Sequence, residues 1–109
     1  MLIQYEFLPI GRKFKLHGDD RVWERVLWRA YCEAESTYMY INLTDYVATV
    51  PGKIVSTTLM EGEKFRISET GNLYKFWTHV EYDTYSYSDI EDSSGQRLEI
   101  LMPHYVYVP

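Results

Sequence analysis

The sequence predicts an all-β chain built as two tandem small β units, residues 1–55 and 56–109, sharing one compact domain. Three observations lead to that reading. Aromatic residues make up 17% of the chain, with eleven tyrosines and three tryptophans, and large rings fit the pleated, half-buried surface of a strand. Turn chemistry recurs at short intervals, as at Glu69-Thr70-Gly71-Asn72. The third observation is an internal repeat. Laying residue 3 on residue 54 brings FLPIGRKFKLHG onto TLMEGEKFRISE and matches Gly11 with Gly62, Lys13 with Lys64, Phe14 with Phe65 and Leu16 with Ile67. The same offset sets Trp23 on Tyr74, Tyr31 on Tyr82 and Val55 on Val106 with no gap.

The second copy carries the clearer strands. Lys64 to Ile67 alternates apolar with polar, Leu73 to Tyr82 is rich in aromatic and β-branched residues, and Arg97 to Met102 and Tyr105 to Val108 give two short strands either side of Pro103. Ser93-Ser94-Gly95 reads as a loop, and the stretch from Asp83 to it as a long polar loop. In the first copy, RVWERVLWRAYCEA sets Val22, Trp23, Val26, Leu27, Ala30, Tyr31 and Ala34 at helical spacing, with Asp19 and Asp20 as caps. An α+β chain with a helix at about 21–35 is therefore the alternative fold. Its alignment with the strand-like LYKFWTHVEY favours strand.

At 109 residues two pieces near fifty residues bury too little surface to stand comfortably apart, so a shared core is expected. Cys32 is the single cysteine, which excludes an internal disulfide framework and a paired-cysteine metal site and suits a reducing compartment. The first residues lack the basic and continuous apolar regions of a signal peptide, and no stretch approaches the ~18 apolar residues of a membrane span. The expected location is cytoplasmic, with no membrane partner.

Phe7-Leu8-Pro9-Ile10-Gly11-Arg12-Lys13-Phe14, followed by Asp20-Arg21-Val22-Trp23-Glu24-Arg25-Val26, resembles the opening of small β-rich proteins common in bacteriophage genomes. They begin with an aromatic residue, a Leu-x-x-Gly turn and a Phe-containing strand. The resemblance covers about residues 5–30 and, more faintly, 57–80. It implies a phage or prophage origin, a host-cell setting and a small barrel similar to an SH3 fold in each unit. It carries no catalytic signature.

The net charge is −5 and unevenly spread. Residues 1–55 hold seven acids and seven bases, while residues 56–109 hold nine acids and four bases. Such a field disfavours unaided binding to phosphate backbones and favours encounters with basic protein surfaces. No phosphate loop, serine-hydrolase elbow, HExxH or Cys/His cluster occurs, so no catalytic residue, cofactor or metal is assigned. On a regular strand His79, Glu81 and Asp83 share a face, yet residues spaced two apart diverge and read better as a solvated surface than as ligands at about 2.0 to 2.2 Å from a metal.

Phe14, Phe65, Trp23 and Tyr74 occupy equivalent places in the copies and read as core. Trp77 shares the strand face of His79 and Glu81 on the same alternation and reads as a partner anchor. The segment EYDTYSYSDIED, residues 81–92, holds five carboxylates and three tyrosines without a base. Folding demands nothing of the kind. Trp77, Glu81, Tyr82, Asp83, Tyr85, Tyr87, Asp89, Glu91 and Asp92 are accordingly the expected partner-binding residues, the acids steering approach and the rings supplying salt-resistant contact. The leading expectation is a non-enzymatic interaction module acting on a host protein with a basic surface, such as a defence or nucleic-acid-handling protein. Two alternatives stand beside it. One is nucleic-acid or nucleotide binding through Arg12, Lys13, Lys15, Arg21, Arg25 and Arg29 with Trp23 or Trp28 for stacking; the other is a virion or assembly component.

Overall fold

In the computed structural model, which describes residues 1–109, the chain forms two six-stranded antiparallel sheets. They belong to two units, Met1–Val50 and Pro51–Pro109. The first unit runs β1 (Leu2–Gln4), a single 3-10 turn (Tyr5–Phe7), β2 (Lys13–Lys15), β3 (Trp23–Val26), β4 (Arg29–Cys32), a second 3-10 turn (Glu33–Glu35), β5 (Thr37–Tyr40) and β6 (Tyr46–Thr49). The second runs β7 (Gly52–Val55), a 3-10 turn (Ser56–Thr58), β8 (Lys64–Arg66), β9 (Leu73–Glu81), β10 (Ser86–Glu91), β11 (Arg97–Ile100) and β12 (Tyr105–Val108).

The sheet orders are β1-β6-β2-β3-β4-β5 and, read from the matching end, β7-β12-β8-β9-β10-β11. Element for element they are the same. Neither sheet closes, and this corrects the SH3-like barrel. β1 pairs only with β6 and β5 only with β4, while β7 pairs only with β12 and β11 only with β10. Closure requires the two outer strands to meet with matched tilt and stagger, and here each sheet keeps two edges.

The helix expected at about 21–35 is likewise replaced, by the β3–β4 hairpin with pairs Glu24↔Tyr31, Arg25↔Ala30 and Val26↔Arg29. The helical stripe does not coincide with what is buried. Leu27 is 56% exposed and adopts a positive φ of 53° in the turn, whereas Ala30 and Cys32, two apart, are buried in strand alternation. Pairing with β2 and β5 outweighs local helical spacing.

Both units build their entry loops with the same hydrogen bonds. The Gly11 N–H donates to Arg25 O at 2.9 Å and the Gly62 N–H to Phe76 O at 2.7 Å. Arg25 N–H donates to Arg12 O, and Phe76 N–H to Glu63 O. Gly11 and Gly62 sit at φ 89° and 81°, a region open to glycine at little cost. One strand further in, Phe14 faces Trp23 as Phe65 faces Tyr74. Phe14, Phe65 and Trp23 are buried and Tyr74 packs against its cluster. The first core gathers Tyr5, Leu8, Phe14, Trp23, Ala30, Cys32 and Val47, the second Leu59, Phe65, Phe76, Ile90, Val106 and Val108.

The ungapped offset fails after β3. Four residues separate paired Arg25 and Ala30, whereas thirteen separate paired Phe76 and Ile90, so the second hairpin is nine residues longer. Tyr31 therefore corresponds to Glu91 rather than Tyr82, and Val47 rather than Val55 corresponds to Val106. The extra residues fall where a long polar loop was expected. They form strand.

Candidate functional site

β9 and the first part of β10 project as a hairpin arm. Aromatic and β-branched residues from Leu73 to Val80 favour an extended chain, and Tyr82-Asp83-Thr84-Tyr85 turns it, with the Tyr82 N–H donating to Tyr85 O at 2.8 Å. Registers run Ser86↔Glu81, Tyr87↔Val80, Ser88↔His79 and Asp89↔Thr78, then slip to Ile90↔Phe76. Trp77 is the extra residue of a bulge, a device that lets two residues oppose one.

That bulge decides which side chains share a face. Ser88 and Ile90, two apart on β10, are both buried and stand opposite His79 and Phe76. His79 therefore lies on the Phe76 side. Its Nδ1 is 3.1 Å from Ser88 Oγ and its Nε2 is 3.3 Å from Glu81 Oε1. Trp77 lies on the other face, its ring between Lys75, 5.3 Å from Nζ to centroid, and Arg97, 4.7 Å from Cζ. Simple alternation had set Trp77 beside His79 and Glu81; the bulge separates them.

The remaining predicted residues divide three ways. Tyr82, Tyr85 and Tyr87 form one ring cluster at the tip, with centroids 4.8, 6.2 and 6.5 Å apart. Tyr82 and Tyr85 are exposed, as are Glu81 and Asp83. Loss of water around it holds the Tyr87 phenol above its ordinary pKa, aided by the Tyr82 hydroxyl and the negative charge of Glu99. Asp89 and Glu91 sit lower on the outer face, Asp89 at 3.7 Å from Arg97 and Glu91 in register with both Lys75 and Arg97. Asp92 stands apart in the β10–β11 turn, where its Oδ1 accepts from the Ser94 hydroxyl and from the Ser94 and Gln96 N–H groups. Those bonds hold its carboxyl below the usual range.

Chemically, the inner face offers an imidazole bridged between a hydroxyl and a carboxylate. Ser88 is 1% exposed, so its hydroxyl is locked against the imidazole rather than presented as a nucleophile. No three His, Cys, Asp or Glu side chains converge as a metal site, because His79 and Glu81 bond to each other while Asp83 lies in the turn.

The basic cluster of the first unit is dispersed by the fold. Arg12 is buried. Arg21 bridges Asp19 at 3.0 Å and Glu35 at 2.9 Å, and Arg29 lies over the Tyr38 ring. Arg25 Nη1 donates to the carbonyls of Tyr5, Glu6 and Leu8 at 2.9, 2.9 and 2.8 Å. Trp23 is buried, and Trp28 is exposed in the β3–β4 turn.

Sequence reasoning missed Lys75, Arg97, Ser86 and Ser88. The signal was present in YVAT, residues 46–49, and YVYV, residues 105–108. Aligning these strands opens a gap that exposes the arm as an insertion.

No protein-family model, curated protein or solved structure matches the chain. The phage kinship implied by the Leu-x-x-Gly-x-x-Phe opening thus has no support, and with the barrel absent that resemblance is set aside.

Proposed function

We propose that the chain is a non-enzymatic interaction module that binds a protein with a basic surface through the tip of its β9–β10 arm. One observation carries this reading: the first sheet makes the same β3–β4 connection with a two-residue turn, so the nine added residues of the second serve no requirement of the fold. They place three clustered tyrosines beside Glu81 and Asp83. Rings of this kind give a large contact area with few rotors to freeze, and adjacent carboxylates steer a cationic surface toward them.

The contact set narrows to Glu81, Tyr82, Asp83, Tyr85 and Tyr87 at the tip. Trp77, Asp89 and Glu91 support it from the outer face, where they are associated with Lys75 and Arg97. Asp92 serves its own turn. Arg21 and Arg25 are engaged by acceptors of their own sheet, which leaves the nucleic-acid reading with less free charge than the sequence promised.

The test compares wild type with Tyr82→Ala/Tyr85→Ala, with Glu81→Gln/Asp83→Asn, and with a variant whose arm is cut to the length of the first hairpin. Proteins retained from lysate after nuclease treatment are identified, purified and measured by surface plasmon resonance. The aromatic variant is expected to raise the off-rate, and the neutralised variant to slow association and flatten its salt dependence. A purified partner that binds all three variants as it binds wild type would remove the arm as the interface.

A further inference from the structure

Beneath the arm, the second unit has a cavity whose walls include Ser56, Thr57, Phe76, His79, Glu81 and His104.

 The cavity volume is ≈ 410 Å³, and the first unit shows what such a space can hold. The turn Tyr5–Phe7 matches Ser56–Thr58, and Arg25 matches Phe76 through the shared glycine hydrogen bond. In the first unit the space is filled from within. The Tyr5 hydroxyl donates to Arg29 O at 2.6 Å, and the Arg25 guanidinium stacks over the Tyr5 ring while Nη1 donates to the turn carbonyls of Tyr5 and Glu6. In the second unit Ser56 replaces the phenol and Phe76 the guanidinium. The same turn, at Ser56 and Thr57, borders an open cavity whose far wall is the inner face of the arm, with His79 and Glu81.

We infer that this cavity binds a guanidinium group supplied from outside the chain. Turn carbonyls accept its N–H groups as those of Tyr5 and Glu6 accept Arg25, the Phe76 ring offers a stacking face, and Glu81 supplies the opposite charge. The group is either a free guanidino compound or the arginine side chain of a peptide. The inference goes beyond the tip contact proposed above; the two share Glu81, while the cavity's other walls are the inner face of the arm and the Ser56–Thr58 turn.

The experiment is a heteronuclear NMR titration at about pH 8. One arm uses agmatine against carbamoylputrescine, which keeps the ammonium and carries a neutral urea in place of the guanidinium; the other uses a short arginine peptide against the same peptide with citrulline. Saturable shifts at Thr57, His79 and Ser88 are expected for a guanidinium probe and not for its urea counterpart, at millimolar concentrations or below. Glu81→Gln should weaken binding about tenfold, and Ser56→Tyr should abolish it by restoring the phenol of the first unit. Binding of agmatine identifies a free ligand as sufficient, and binding of the arginine peptide alone identifies a protein-borne one. Absence of saturable shifts with both probes, equal shifts with the urea isosteres, or shifts that persist in both Glu81→Gln and Ser56→Tyr would overturn the inference.

Discussion

Arg25 and Phe76 occupy the same position in the two sheets, each accepting at its carbonyl the N–H of a turn glycine, Gly11 at 2.9 Å and Gly62 at 2.7 Å. The backbone is shared and the side chains have opposite characters. Arg25 ties three carbonyls of the Tyr5 turn together, while Phe76 joins the apolar cluster of its own sheet.

Arg25→Met is therefore expected to destabilise the first unit by about 2 kcal/mol, the scale of a charge-assisted hydrogen-bond set left unmade. Arg25→Lys should recover only part of it, because an ammonium lacks the planar fork that serves Leu27 O through Nε and the turn through Nη1. Urea denaturation of the three proteins measures the difference. Equal stability of all three would show that the guanidinium contributes nothing to the turn.

Cutting the arm so that four residues rather than thirteen link Phe76 and Ile90 should leave the second sheet folded. The first sheet already makes the corresponding connection with that length. A retained cooperative thermal transition and β-type circular dichroism are expected. Loss of the transition would mean that the arm is integral to the core.

High pH should destabilise the chain through two phenols. Burial raises the pKa of Tyr5, and desolvation with the neighbouring Tyr82 and Glu99 raises that of Tyr87. For an acid whose folded pKa lies above its unfolded value, the unfolded state releases its proton first, so the contribution is full below about pH 10 and declines as pH rises through the folded value. Ultraviolet titration should find the Tyr5 and Tyr87 phenols ionising late. Tyr87→Phe should remove one of them and reduce the alkaline slope of stability.

At the acid end the expectation has the opposite sense. Hydrogen bonds from Arg21 lower the pKa of Asp19 to about 2. The unfolded state takes up the proton first as pH falls, so the stability linked to this carboxylate is present above its ordinary value and disappears on the way down to about 2. Carbon-detected NMR titration should locate it there in wild type and shift it upward, toward the ordinary aspartate value of about 3.9, in Arg21→Gln, where the backbone N–H of residue 21 and the Trp23 indole still donate. An unmoved Asp19 in that variant would disprove the pairing.

Local pattern reached the strand character of most of the chain, because alternation and ring content act over a few residues. Phe14, Phe65, Trp23 and Tyr74 stand where the repeat placed them, facing each other across β2–β3 and β8–β9. What local pattern could not reach is set by partners distant in sequence. The helical spacing around Trp23 yields to pairing with β2 and β5, and barrel closure depends on whether edge strands meet. The arm was hidden by an ungapped offset, and its faces by a bulge at Trp77 that period-two counting does not register. The acidic, tyrosine-rich stretch was legible as composition; that it folds as strand depends on Ser86, Tyr87 and Ser88 finding Glu81, Val80 and His79.

Identical strand order in two halves of one chain has a kinetic side. While the chain folds, the place beside β6 and the place beside β12 each suit a short edge strand, and Leu2–Gln4 and Gly52–Val55 both answer that description. Tandem copies are prone to this kind of exchange. The divergence of Leu2-Ile3-Gln4 from Lys53-Ile54-Val55, and of Tyr46 to Thr49 from Tyr105 to Val108, then acts as an address label that returns each edge strand to its own sheet.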